Sequence, residues 1–295
     1  MEEEKVEHIV RLSHLTKNYP EFRLDDIDLE IPRGYVTGLI GPNGAGKTTT
    51  IKLIMNLIRP DEGSVEVLGL GHGRHNREIK DRTGYIGEEQ YFYEQRSATW
   101  TGRFVSHFFT AWDQDRFMQL LDRFGLPPKQ RIKKYSKGMK VKLSLAIALS
   151  HHPELIILDE PTSGLDPVIR REVIEMLQDL TSVEGNTVLI SSHITDDIER
   201  IADYVVYMVQ GRIPLTASKD ELLSNWKRLH FKPDTLTADI ISSLELVETQ
   251  MFGSTGITRR FPEIKDGLET SLSNGNVRIE PVGLDDILIA LVKGA

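Results

Sequence analysis

The sequence predicts an α/β fold: a parallel sheet at the centre, antiparallel strands added at its start, and a small α+β unit at its end. Three observations carry this. Short apolar runs such as 35–40 and 155–158 alternate with longer stretches of helical periodicity, as strands buried on both faces do when helices cover them. Residues 6–16 (VEHIVRLSHLT) and 24–31 (LDDIDLEI) alternate apolar with polar, the pattern of half-buried antiparallel strands. After residue 217, strand-like and helix-like segments follow in a β-α-β-β-α-β order, which suggests a ferredoxin-like unit.

Taken in order, Pro32-Arg33-Gly34 supplies a turn before the apolar run at 35–40, which ends abruptly in Gly41. From Gly46 the pattern becomes helical, with Ile51, Ile54, Met55 and Ile58 on one face, and RPDEG at 59–63 stops it. SVEVL at 64–68 reads as a strand. Several short helices are expected over 97–126, and a helix over 143–150 that stops at His151-His152-Pro153. A strand at 155–158, a helix at 167–182, a strand at 187–191 and a helix at 195–202 come next. Strands at 204–209 and 212–215 form a hairpin around Gln210-Gly211. The last part is expected as strand 227–231, helix 235–243, strands 244–250 and 256–261, helix 262–273, strand 276–280 and helix 284–292. Two units follow from this change of texture, 1–217 and 218–295.

Composition removes several function classes. With 39% hydrophobic and 27% charged residues among 295, the chain is too apolar for disorder. Its net charge is −8 and neither unit is basic, so a bulk electrostatic grip on nucleic acid is not expected. The absence of cysteine excludes a disulfide scaffold, thiolate zinc and a Cys nucleophile, and fits a reducing compartment. MEEEKVEHIV is acidic where an export signal would be basic and then apolar. The longest apolar stretches are broken early, IKLIMNLI by Lys52 and Asn56 and VKLSLAIALS by Lys142 and Ser144, so no membrane-spanning helix is expected.

The strongest chemical signal is Gly41-Pro42-Asn43-Gly44-Ala45-Gly46-Lys47-Thr48, which matches G-x-x-x-x-G-K-[ST] between an apolar strand and an amphipathic helix. Glycines let such a loop curl so that its N–H groups point inward, and the helix N-terminus adds partial positive charge for a polyphosphate. Lys47 is expected to reach the β- and γ-phosphates, Thr48 to ligate Mg²⁺, and Thr49 to bond the α-phosphate. An ordinary glycine turn would not need all four fixed positions and both flanks. LIILDE at 155–160 supplies the acidic partner at the C-terminal end of an apolar strand, where α/β sheets place ligands. Asp159 is expected to hold the metal. Glu160, beside it, can orient and deprotonate a water attacking the γ-phosphate, against the plainer reading that it only caps the next segment.

Between these motifs lies Tyr135-Ser136-Lys137-Gly138-Met139-Lys140, followed by a helix. With GPNGAGKTT before it and LIILDEPTSGLDP after it, the order resembles the ATP-binding subunit of an ABC transporter over about residues 6–215. The short signature resembles the family's LSGGQ; Tyr135, Lys137, Met139 and Lys140 depart from it, while Ser136 and Gly138 keep its chemistry. In that family this loop meets the nucleotide held by the opposite subunit, which implies a dimer, either with itself or with a similar ATPase. The resemblance also implies a helical subdomain at about 91–150, ATP and Mg²⁺ as ligands, integral membrane subunits as partners, and a place on the cytoplasmic face of the membrane. Residue by residue, Tyr19 matches the aromatic that stacks on adenine, Asp166 lies in the SGLD loop that communicates across the dimer, and His193 matches the switch histidine at the γ-phosphate. Glu88 stands where the family usually has glutamine, the nearest being Gln90; glutamate can still meet Mg²⁺ or water through oxygen, but adds negative charge beside the phosphates. Together with YSKGMK, this variation resembles the branch serving ABC-2-type and bacitracin-resistance-like exporters.

Two further stretches are expected to be split between partner and structure. Eight aromatics lie in 91–112; Phe104 and Phe108, at helical spacing, are expected in the core of the helical subdomain, and 91–93 to meet a helix of a membrane subunit. Seven bases at 129, 131, 133, 134, 137, 140 and 142, without an acid, read as a solvated face attracting a partner's ATP rather than a nucleic-acid or lipid site. A soluble relative acting on DNA or ribosomes would need a long coiled-coil insertion or a second cassette. About 110 residues separate the two motifs and only one cassette is present. A P-loop kinase would have no use for the signature.

Overall fold

The computed structural model describes residues 7–184, 186–232, 235–250 and 253–294. The acidic start of the chain lies outside these. The elements run β1 His8–Tyr19, β2 Phe22–Pro32, β3 Val36–Ile40, α1 Lys47–Ile54, β4 Glu62–Val67, β5 Leu70–Gly71, α2 Asn76–Asp81 and β6 Thr83–Ile86. They continue with α3 Ala98–Ser106, α4 Gln114–Arg123, α5 Lys137–Leu149, β7 Leu155–Asp159, α6 Pro167–Glu184, β8 Thr187–Ser192, α7 Thr195–Ile201, β9 Tyr204–Val209 and β10 Arg212–Ser218. The final part is α8 Lys219–Asn225, β11 Lys227–Phe231, α9 Ala238–Ser242, β12 Leu246–Gln250, β13 Gly253–Thr258, α10 Phe261–Ile264, α11 Glu269–Ser273, β14 Val277–Pro281 and α12 Leu284–Lys293.

The central sheet has the order β10-β9-β3-β8-β7-β6, parallel from β9 to β6 with β10 antiparallel at its edge. Its parallel strands are buried on both faces, so successive residues feed different cores. Ile157 and Leu189 pack toward β1, β2 and α1, whereas Ile156, Leu158, Val188 and Ile190 pack toward α5, α6 and α7. The first strands form a separate antiparallel sheet, β2-β1-β4-β5. The last four strands form an antiparallel sheet in the order β12-β13-β11-β14, the split arrangement that the β-α-β-β-α-β pattern predicts.

Three local expectations change. The helix expected over 143–150 begins at Lys137, because Ser136 caps it by accepting from Met139 N at 3.2 Å. The strand expected at 256–261 is Gly253–Thr258, with Arg259 beyond it paired to Glu245 at 2.8 Å. The helix expected over 262–273 is broken into two short helices by a 3₁₀ turn at Asp266–Leu268.

Phe104 and Phe108 are not core residues: they are 39% and 62% exposed. Helix α3 instead buries Ala98, Thr101 and Gly102, and a Cβ on Gly102 would stand 2.3 Å from the Phe117 ring of α4. The small face turns inward because only a glycine lets the two helices approach so closely. The large aromatics are left outside as a ladder in which Trp100 stacks on Phe104 at 5.3 Å, Tyr93 stands edge-on to both, and Phe108 continues from Phe104. Of the 91–93 stretch, Tyr91 and Tyr93 are exposed whereas Phe92 packs partly against the core.

Candidate functional site

Strands β3, β7 and β8 are hydrogen-bonded in one register, with Ile40 beside Ser192 and Asp159 beside Ser191, so their C-terminal ends open at one place. A cavity of about 580 Å³ lies there, lined by residues 43–49 together with Glu21, Phe22, Glu88, Glu160, Ser163 and His193. The loop curls because Gly44 and Gly46 take φ of 81° and 113°, values that side chains avoid. Gly41 is required for another reason: a Cβ there would lie 2.2 Å from the Met208 carbonyl of β9. Helix α1 starts at Lys47 with no acidic residue in its first turn, leaving its N-terminal partial charge for an anion.

Lys47 is buried and turned back on its own loop, with Nζ donating to the Gly41 and Pro42 carbonyls at 2.7 and 3.3 Å. It also lies 3.1 Å from Glu160 Oε1, an ion-pair distance without hydrogen-bond geometry. The other carboxylate oxygen, Oε2, accepts from His193 Nδ1 at 2.7 Å and from His193 N at 3.3 Å. Glu160 is therefore 6% exposed between two basic side chains, at φ 51° on a non-glycine residue. Its neighbour Asp159, at 1% exposure, accepts on Oδ1 from Thr48 Oγ1 at 3.2 Å and from Ser191 Oγ at 2.6 Å.

The structure thus brings Asn43, Gly44, Ala45, Gly46, Lys47, Thr48, Thr49, Glu88, Asp159, Glu160 and His193 together around or directly behind one cavity. Glu88 is exposed at its mouth, and Gln90 instead donates back to the Gly87 carbonyl at 2.9 Å. Tyr19 does not line the cavity. It is 43% exposed at the end of β1, and Phe22, across the turn at a ring distance of 6.4 Å, lines it instead. Ser136, Gly138 and Asp166 stand away from this cavity. Gly138 packs against α6, where a Cβ would lie 2.3 Å from Ile169, and Asp166 caps α6 by accepting from Val168 N and Ile169 N at 3.1 Å. Phe22 and Ser191 were missed in the sequence, and Ser163, read there only as part of the SGLD loop, also lines the cavity. An aromatic on either side of the Pro20-Glu21 turn was the only signal for Phe22.

A glycine-curled loop at a helix N-terminus, a buried lysine, and paired carboxylates at the end of a parallel strand define a P-loop nucleotide-binding protein. Comparison with known proteins narrows this. The family model described as ABC transporter matches residues 24–163. An uncharacterized ABC transporter ATP-binding protein of Nostoc is 38% identical over 214 residues, covering 70% of this chain and 63% of that relative, less than two thirds of its length. The bacitracin transport ATP-binding protein BcrA of Bacillus licheniformis is 35% identical over 228 residues, covering 76% of this chain and 74% of that one. The daunorubicin/doxorubicin resistance ATP-binding protein DrrA of Streptomyces peucetius is 32% identical over 305 aligned positions, 96% of this chain and 92% of that one. A solved structure of the ATP binding subunit of an ABC transporter matches with a TM-score of 0.66 at 28% identity, covering 73% of this chain and 92% of that one. The chain belongs to the family of ABC transporter ATP-binding proteins, which are ATPases. The similarity to BcrA and DrrA bears out the exporter-branch resemblance. No helix among the described residues is long and apolar enough to cross a membrane.

Proposed function

We propose that this chain binds and hydrolyses ATP to power an exporter, working with separate integral membrane subunits and a second ATPase subunit at the cytoplasmic face of the membrane. Residues 1–217 are the ATPase unit, with the helical subdomain at about 91–150, and 218–295 are an accessory unit. The observation that carries this reading is the Glu160 carboxylate held between Lys47 at 3.1 Å and His193 at 2.7 Å on the wall of the phosphate-loop cavity.

Thr48 and Asp159 fit Mg²⁺: both offer hard oxygen donors, within 3.2 Å of each other and beside the phosphate loop. Among the described residues no group of three or more acidic or histidine side chains is placed to hold a metal. That suits an ion which takes one carboxylate and fills its shell with nucleotide phosphates and water. When bound, Mg²⁺ neutralises charge developing on the phosphates.

Lys47 exchanges its loop carbonyls and Glu160 for β- and γ-phosphate oxygens, and Thr49 bonds the α-phosphate. Glu160, released from Lys47, accepts the proton of the attacking water, while His193 turns from Glu160 to the γ-phosphate. Asn43, Gly44, Ala45 and Gly46 contribute the curled backbone, Tyr19 or its neighbour Phe22 meets the adenine, and Glu88 would offer a carboxylate oxygen to Mg²⁺ or water from the mouth of the cavity. Ser136 and Gly138 lie outside this chain's own cavity, which supports their use on a nucleotide held by the second subunit, with Asp166 at the contact. The ladder of exposed Tyr93, Phe104 and Phe108 with half-buried Trp100 is the surface offered to a membrane-subunit helix.

Glu160→Gln tests the reading. The variant is expected to bind MgATP with nearly unchanged affinity and to lose at least about 100-fold in turnover, the lower range for a general base. Near-normal turnover removes Glu160 from that role.

A further inference from the structure

Ser191 is fully buried near the end of β8, following Val188, Leu189 and Ile190 in a strand covered on both faces. Nothing about the packing of such a strand calls for a hydroxyl, and a buried one is unfavourable unless hydrogen-bonded. Here both its donor and its acceptor capacities are used, and both are directed at the end of β7. Oγ donates to Asp159 Oδ1 at 2.6 Å and accepts from Glu160 N at 3.1 Å. The Ser191 carbonyl lies 3.2 Å from the same Glu160 N–H. One side chain therefore fixes the carboxylate proposed to hold the metal and the backbone from which the proposed base projects.

The backbone at Glu160 needs such a tie. Its φ of 51° belongs to the left-handed region, which a glutamate occupies only when its surroundings enforce it. The parallel register sets Ser191 directly beside Asp159, so the hydroxyl reaches both residues from a neighbouring strand without a loop between them. Asp159 Oδ1 takes both the Ser191 and the Thr48 hydroxyls, and no described residue donates to its other oxygen.

We propose that Ser191 is a positioning residue: its hydroxyl orients Asp159 toward the metal and holds Glu160 in its left-handed conformation, so that the two carboxylates act on one nucleotide. This rests on the functional reading above, and its test separates the two. Mn²⁺ is titrated into the ADP-bound full chain and followed by electron paramagnetic resonance, beside MgATP turnover, for wild type, Ser191→Ala and Ser191→Thr. Ser191→Ala is expected to weaken Mn²⁺ binding about 10-fold and to lower kcat about 10- to 100-fold, the usual cost of removing a hydrogen-bond partner of a metal ligand. The affinity for metal-free ATP stays within about threefold, because the phosphate loop is untouched, while the KM for MgATP rises with the lost metal contact. Ser191→Thr keeps the hydroxyl and recovers most of both losses.

The proposal is overturned if Ser191→Ala binds Mn²⁺ and turns over within about threefold of wild type. It is equally overturned if Ser191→Thr, with a wild-type melting temperature, is no better than Ser191→Ala. Should Glu160 not be the base, Glu160→Gln would hydrolyse ATP normally while Ser191→Ala would still lose Mn²⁺ affinity.

Discussion

Glu160 is where local cost and chemistry meet. A left-handed glutamate costs roughly 1–3 kcal/mol, and burying its carboxylate would cost more without the Lys47 and His193 partners that flank it. Lys47 pairs with Glu160 at 3.1 Å, and on the proposed function it would exchange this anion for a phosphate. Lys47→Ala removes the proposed phosphate contact and leaves Glu160 buried against one partner instead of two. ATP affinity is expected to fall at least about 10-fold, each such charge-assisted contact being worth about 1.5–3 kcal/mol; equilibrium binding of a fluorescent ATP analogue checks it, and unchanged affinity would contradict the assignment. The residues around Glu160 differ in how plainly the sequence shows them. Lys47, Thr48, Asp159 and Glu160 sit in motifs whose spacing is fixed by loop and strand geometry. Ser191 and Phe22 carry no spacing signal, because what places them is a strand register and a hairpin turn that exist only after folding.

Among elements, the parallel sheet was legible because strands buried on both faces read as uninterrupted apolar runs. Helix α3 was not. Its periodicity marks one face of large aromatics and another of Ala98, Thr101 and Gly102, but not which turns inward; the answer depends on Phe117, a residue of the next helix. The segment after α3 is tied to the turn between α5 and β7 by Phe109, whose ring stacks on His151 at 3.9 Å, and to the end of α2 by Thr110 N, which donates to Asp81 at 3.0 Å. Burial holds the His151 imidazole below its ordinary range, opposed by backbone hydrogen bonds to Thr83 and Ile147 and by nearby Asp81, with His152 adding slightly to the lowering. The folded chain therefore binds fewer protons at this residue than the unfolded chain does, and stability is lost as the pH falls below the unfolded value of about 6.5. His151→Phe keeps the ring stack and removes the titration. Its melting temperature is expected to fall less than the wild type's between pH 7 and pH 5.5, with a residual slope left by His72, which burial also holds low. Equal slopes in the two proteins would show that His151 is not the acid-sensitive group.

Across the whole molecule, the last helix belongs to the first unit's core. Leu284, Ile287 and Ala290 of α12 share one apolar cluster with Ile198, Ile201 and Tyr207, and Tyr207 donates to the Leu284 carbonyl at 3.0 Å. Burial, aided by Glu199 and Asp285, keeps that phenol protonated. Glu199 of α7 accepts from Leu284 N at 3.3 Å, so the C-terminal α+β part is seated on the helix that follows His193. Its strand order was legible from alternation alone, but this seating was not, since LDDILIALV reads as a helix with an apolar face and names no partner. The larger gap is that Ser136 and Gly138 stand outside the cavity that Lys47 and Glu160 line, which the proposed function explains by giving each chain half of two sites. The most direct measurement is the solution mass of Glu160→Gln by light scattering, with and without MgATP, beside the double variant Glu160→Gln/Ser136→Arg. The single variant is expected to double in mass with MgATP, and the double variant to bind ATP yet stay a monomer. A double variant that dimerises as readily as the single one would contradict the shared site.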